Sequence, residues 1–201
     1  MRSLMHRGAV MAAGVGLLAA GMVAAVPGAA GAAVVTVTGV KAPLPANAAP
    51  DPVASVNSVS CGSAGNCTAV GLYLGRPIRP HGLLLTQTSG HWTAAEAPLP
   101  ANARSDLSAD LLSVSCASAG NCTAVGAYID SSNNQQGLLL TQTSGKWATG
   151  VKAPLPAGAS THSGVALSSV SCASAGNCTA VGDYRDSAGH QQGLLVTRKT
   201  G

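Results

Sequence analysis

The sequence predicts an all-β domain made of three four-stranded repeats of about 55 residues each. Three observations carry this. A Ser-Val-Ser-Cys…Cys-Thr-Ala-Val-Gly segment occurs three times, with its cysteines at Cys61 and Cys67, Cys116 and Cys122, and Cys172 and Cys178. The first cysteines stand 55 (116 − 61) and 56 (172 − 116) residues apart, and a fixed period of this size marks a repeat architecture. Beyond the first thirty or so residues no segment keeps a helical period, whereas short alternating or apolar runs bounded by Gly, Ser and Pro recur.

The chain opens on a different pattern. Arg2 and Arg7 form a short basic start, and Ala9 to Val26 is an uncharged apolar run of 18 residues (26 − 9 + 1) rich in Gly and Ala. Pro27 breaks the run, and Ala30-Gly31-Ala32 offers a small-residue cleavage site before Ala33. This reads as a secretory signal peptide over residues 1–32, with an uncleaved anchor as the alternative. Residues 33–201 then form a single repeat domain, long enough to bury a core. Its repeats centre on 56–100, 111–156 and 167–201, the last joined by 34–45. Without Arg2 and Arg7, nine basic residues (11 − 2) face seven acidic ones. They are scattered, which excludes the basic stripe of a nucleic-acid binder.

The second repeat shows each element. Leu111 to Cys116 alternates, with Val114 and Cys116 on one face and Ser113 and Ser115 on the other, as in a half-buried strand. Ala117 to Asn121 is rich in turn formers. Cys122 to Tyr128 is the second strand, Ile129 to Gln136 a polar loop, and Gly137 to Thr143 the third strand. Ser144-Gly145 turns the chain into a fourth strand beginning at Lys146-Trp147. Ala153-Pro154-Leu155-Pro156 ends that strand, because proline donates nothing to a ladder.

The phase of the termini is unusual. Gly201 aligns with Gly90 and Gly145, before strand four, while Val40-Lys41-Ala42-Pro43-Leu44-Pro45 repeats Val151-Lys152-Ala153-Pro154-Leu155-Pro156. The expectation is that an N-terminal strand closes the last repeat, protecting edges that would otherwise invite aggregation. The tryptophan position of this copy holds Thr36.

Six cysteines allow 15 pairings. The repeat selects Cys61–Cys67, Cys116–Cys122 and Cys172–Cys178, each stapling the hairpin of strands one and two, as an oxidising compartment would favour. Zinc is the alternative, but zinc sites use closer spacing and a second ligand pair. His81, His91, His162 and His190 fall at unmatched positions. No metal or cofactor is expected.

The run Leu-x-x-Val-x-Cys…Cys-Thr-Ala-Val-Gly-x-Tyr…Gly-Leu-Leu-Leu-Thr-Gln-Thr-Ser-Gly-x-Trp resembles one blade of a β-propeller. It is similar to the bacterial neuraminidase (Asp-box) repeats, and most of all to the photosystem II assembly-factor-like subgroup. The likeness spans nearly all of residues 34–201. The Asp-box aspartate is missing, since Thr88-Ser89-Gly90 and Thr143-Ser144-Gly145 stand in its place. The resemblance implies propeller blades and no particular function. Propellers have four to eight blades, so three repeats suggest a homodimer completing a six-bladed ring. The alternatives are a β-trefoil-like three-fold closure and a truncated relic.

Candidate ligand contacts are few. Tyr73, Tyr128 and Tyr184 are repeat-equivalent and either stack on sugars or pack the blade. Asp130, Asp183 and Asp186 lie in or beside the loops between strands two and three, as solvated charges or as calcium ligands, and Arg185 is a further candidate contact there. Those loops, 74–81, 129–136 and 185–192, have equal length and different chemistry, and scaffolds place recognition in loops. No catalytic constellation is found: Glu96 is the only glutamate, whereas glycoside hydrolysis uses paired carboxylates, and no Gly-x-Ser-x-Gly elbow is present. The reading is a secreted, non-enzymatic binding or scaffold module whose partner is a cell-surface glycan or a protein. A carbohydrate-binding lectin is second and a hydrolase third.

Overall fold

The computed structural model describes residues 37–104, 106, 108–160 and 164–199, and Val40–Gly201 belongs to one compact unit. The expected signal peptide, Thr36, His162 and Gly201 lie outside the described residues.

Each repeat forms its own antiparallel meander. In the first, β1 (Ala54–Ser63), β2 (Asn66–Leu74), β3 (Pro80–Thr88) and β4 (His91–Glu96) pair in chain order. In the second, β5 (Ala109–Ser118), β6 (Asn121–Ile129) and β7 (Gln135–Thr143) are followed by two short pieces, β8 (Lys146–Trp147) and β9 (Val151–Lys152), both on the edge of β7. The third has β10 (Ala166–Ser174), β11 (Asn177–Arg185) and β12 (Gln191–Arg198). No helix and no closed barrel occurs among the described residues. Every sheet is built from one repeat's strands, which removes the trefoil-like alternative.

The split of strand four has a sequence cause. Six residues separate Gly90 from Ala97, but seven separate Gly145 from Ala153. The extra residue leaves the ladder at Thr149-Gly150, where the Gly150 N–H donates instead to the Pro98 carbonyl at 2.7 Å. This accounts for the spacing of 56 rather than 55.

A second irregularity recurs in all three repeats. The register of strands one and two shifts between Val56 and Ser58, between Leu111 and Ser113, and between Leu167 and Ser169. One residue of strand one is thereby bulged in each repeat. The opposing residue is always the glycine of the Ala-Val-Gly motif. A Cβ on Gly71, Gly126 or Gly182 would stand 1.9, 2.0 or 1.9 Å from the carbonyl oxygen of Ser55, Asp110 or Ala166. The motif ends in glycine because the backbones touch there.

The sheets stack face to face. Val70 and Leu84 of the first enter a core with Leu111, Val114, Ala124, Leu138 and Leu140 of the second. Val125 and Leu139 of the second meet Leu167, Val170, Ala180, Leu194 and Val196 of the third. Serine hydroxyls lock the junctions. Ser58 Oγ accepts from Val114 N (3.2 Å) and Ser60 Oγ from Cys116 N (2.9 Å). One repeat later Ser113 Oγ accepts from Val170 N (3.2 Å) and Ser115 Oγ from Cys172 N (3.0 Å). In the first and second repeats the serine face of strand one therefore meets a neighbouring sheet.

The Ala-Pro-Leu-Pro segments end strand four and then cross to the next sheet. Ala97 and Leu99 pack in the core of the second repeat, Ala153 and Leu155 in that of the third. Ala42 and Leu44 do the same for the first, beside Ala69, Leu83, Leu85 and Trp92. The expected pairing of the N-terminal segment with the last strand is corrected within the chain: residues 40–44 carry no ladder, and β12 pairs only with β11 among the described residues.

Gly126→Ala is expected to destabilise the chain by about 3 kcal/mol, because the clash is with backbone that cannot rotate away. Denaturant unfolding of the oxidised protein measures it.

Candidate functional site

Because the first strands of successive sheets run side by side in the same sense, the stack has two distinct ends. One end carries the disulfide hairpins, the other the loops between strands two and three.

At the hairpin end the three expected bridges are formed: Cys61–Cys67, Cys116–Cys122 and Cys172–Cys178, with Cα separations of 3.9, 4.0 and 4.0 Å. Each joins residues directly opposite in the ladder. Closing so short a loop stabilises by roughly 2 kcal/mol per bridge in the chain-entropy account. No cysteine is left free, and three intramolecular disulfides are typical of extracellular proteins. Beside the bridges lie two repeat-equivalent clefts that the sequence reading missed. The first, of about 210 Å³, is walled by Asn66, Thr68, Thr86 and Gln87 and floored by Cys122. The second, of about 160 Å³, has Asn121, Thr123, Thr141 and Gln142 over Cys178, with Arg198 at its rim. Thr68 Oγ1 lies 3.3 Å from Cys122 Sγ and Thr123 Oγ1 3.2 Å from Cys178 Sγ. A half-cystine has no proton, so the threonines donate. The recurring Thr-Gln-Thr of strand three was the available signal, but only the stacking turns it into a cleft.

At the opposite end the loops share one frame. Gly75 N donates to Arg79 O (3.1 Å), Asp130 N to Asn134 O (2.9 Å) and Asp186 N to His190 O (3.0 Å). The tips differ: Pro77-Ile78 in the first, where Arg76-Pro77 is cis, Ser131 to Asn133 in the second, and Ser187 to Gly189 in the third. All of these tip residues are exposed.

The acidic candidates build the loops. Asp130 Oδ1 accepts from Ser132 N (3.0 Å) and Asn134 N (2.9 Å), and Oδ2 from Gln136 Nε2 (2.8 Å). Asp186 repeats this with Ala188 N, His190 N and Gln192 Nε2 at 3.0, 2.9 and 3.0 Å. Burial acts to raise the Asp130 pKa, but the hydrogen bonds from Asn134, Gln136 and Ser132 outweigh it and hold the carboxyl below its ordinary value. The Gln192 amide, then the His190 N–H, does the same for Asp186. Both carboxylates thus accept hydrogen bonds within their own loops, Asp130 buried and Asp186 partly exposed. Arg185, by contrast, is exposed, with Nη1 on the Gly189 carbonyl at 3.0 Å.

Two of the three tyrosines are withdrawn from solvent. Tyr73 and Tyr128 are fully buried, their hydroxyls donating to Asn47 Oδ1 (2.8 Å) and Asn102 Oδ1 (2.9 Å). Burial, with the Glu96 carboxylate nearby, pushes Tyr73 up to about 12, and burial raises Tyr128. Neither ring can serve as a stacking platform. Only Tyr184, where Gly158 replaces the asparagine partner, is partly exposed.

The first repeat alone extends this network. Asn47 Nδ2 donates to Glu96 Oε2 (2.7 Å), and the buried His81 places Nδ1 2.7 Å from Glu96 Oε1. His81 Nε2 has no partner. The second repeat has Gln136 and Lys152 at these positions. The His81 imidazole is sealed under Gly75, whose added Cβ would lie 2.6 Å from it, while Glu96 stays partly exposed; the pair ties the loop to strand four. Among the described residues no three His, Cys, Asp or Glu converge on a metal-sized space.

Lowered carboxyl values carry a stability signature. The contribution of Asp130 is complete above the ordinary aspartate pKa of about 3.9 and is lost as pH falls toward and through the depressed folded value. Asp130→Asn is expected to flatten that acid limb while leaving the fold's neutral-pH register intact, read as denaturant midpoint against pH.

No protein-family model matches this chain, and a search of the curated proteins finds no match.

Proposed function

We propose that the three stacked sheets are blades of a β-propeller, and that the chain is a secreted, non-enzymatic scaffold that recognises its ligand through the loops between strands two and three. One observation carries the reading. Three loops closed by the same main-chain bond present three different tips from one end of a regular stack. Regular strands with divergent, exposed loop tips are the arrangement in which scaffolds place recognition.

The side chains at that end suggest the chemistry. Arg76, Arg79 and Arg185 with His190 are exposed, while Asp130 and Asp186 point inward to their own amides. Arg79 also meets Asp106 of the following segment at 3.5 Å, and Arg104 Nη1 reaches Asn133 Oδ1, so neighbouring loops touch. An oxygen-rich or anionic cell-surface glycan or an acidic protein segment suits this surface. The stapled hairpins at the other end suit an extracellular setting.

Replacing tips 76–78, 131–133 and 187–189 by Gly/Ser, with Asp130 and Asp186 kept, is expected to abolish binding to glycan arrays or to immobilised surface proteins while leaving the unfolding midpoint within about 0.5 kcal/mol of the parent. Retained binding by the triple swap overturns the loop reading.

A further inference from the structure

We infer that the two end faces of the stack bind each other in a second copy of this chain, head to tail, so that two copies close a ring of six sheets. The inference rests on the propeller reading of the stack and is independent of what the loops bind.

The two faces are further copies of surfaces that already meet twice inside the chain. At the first junction Val70 and Leu84 fill a hollow formed by Ala97, Leu111, Val114, Ala124 and Leu140. At the second, Val125 and Leu139 do so against Ala153, Leu167, Val170, Ala180 and Val196. The third pair of projecting side chains is Val181 and Leu195, and they are 38% and 76% exposed. The matching hollow lies on the first sheet. It is an apolar groove of about 240 Å³ lined by Val40, Ala42, Val56, Val59, Leu85 and Trp92. Val56 and Val59, at the positions of the buried Leu111 and Val114, are 48% and 60% exposed. A projection without a hollow and a hollow without a projection, each the repeat of a buried partner, are mutually complementary by construction.

Three further features fit this occupant. First, Ser169 and Ser171 hold the positions whose hydroxyls lock the two internal junctions, yet neither has a side-chain hydrogen bond among the described residues. In the ring they accept from Val59 N and Cys61 N of the second copy. Second, among the described residues β12 has no strand on its outer edge, while Val40-Lys41, the sequence counterpart of β9, lies outside any ladder with Val40 76% exposed. Leu139 pairs with Val151 and Leu138 with Lys152, so Leu195 and Leu194 would pair with Val40 and Lys41 of the second copy. Third, Gly82 and Gly137 are glycines because Ala97 and Ala153 press on them, their added Cβ atoms falling 2.7 and 2.8 Å from those methyls. Gly193, the third of the set, has nothing within 4 Å. Ala42 of the second copy is the missing neighbour.

A head-to-tail contact gives rings when its rotation closes and open filaments when it does not. Propellers close with four to eight blades, and two copies of three reach six.

The test is the mass of the oxidised full-length secreted chain by size-exclusion chromatography with light scattering. A mass of two chains is expected. Leu195→Asp and Val59→Asp, on opposite faces, should each halve it at unchanged strand content by circular dichroism. Mixing the two variants should restore a two-chain particle, because one junction then has two intact faces; this rescue also shows that neither variant had merely misfolded. Gly193→Leu should likewise give single chains, its space being free within one copy. A single-chain mass for the parent, a mass above two chains, or a two-chain mass indifferent to Leu195→Asp overturns the inference. The loop-swapped protein should keep the two-chain mass, so loss of ligand binding and loss of the ring are read separately.

Discussion

The structure depends on one contact, used twice: two aliphatic side chains from strands two and three of one sheet seated in the hollow of the next. Each sheet alone would leave an apolar face in water. Burying a valine and a leucine contributes about 1.5–3 kcal/mol each, and the serine hydroxyls satisfy strand-one N–H groups that stacking would otherwise strand without water. Apolar and polar parts of the junction therefore reinforce each other. The crossing Ala-Pro-Leu-Pro segments belong to the same device, since they leave one sheet and cover the next.

Because every junction is alike, differences between repeats stand out against a constant background. The second and third repeats fix their loops with an aspartate and a glutamine, whereas the first uses a glycine over a buried histidine that bonds to a partly exposed glutamate. Both solutions deliver the same loop closure. Loop tips are thus free to vary in chemistry without the frame having to change, which is the physical content of calling this chain a scaffold.

The sequence made the strands, turns and disulfides legible, because alternation, Gly/Ser punctuation and C-x5-C spacing are local signals. The recurring glycine of Ala-Val-Gly could be seen but not explained, since the carbonyl it touches belongs to a bulge one strand away. Ser113 and Ser115 read as solvent-facing because period-two alternation reports two faces without saying what covers the second. The tyrosines left two readings open for a related reason: repetition on a strand is compatible with a platform and with a core position, and the burial of Tyr73 and Tyr128 against Asn47 and Asn102 decides for those two. Asp130 and Asp186 looked like free loop charges because capture by an N–H two or four residues on requires a loop shape that composition does not encode. The clefts beside the disulfides are formed across repeats and had no contiguous signature.

The placement of the bridges bears on how the chain reaches its oxidised state. Each joins cysteines six residues apart in sequence, while any pairing between repeats spans at least 49 (116 − 67). Loop-closure entropy favours the nearer partner by about 2 kcal/mol, some thirtyfold. Each hairpin can therefore seal as soon as its own second cysteine is available, before the following repeat exists. Of the 15 arrangements, the one with every bridge inside its own hairpin is thus the one that loop-closure entropy favours most.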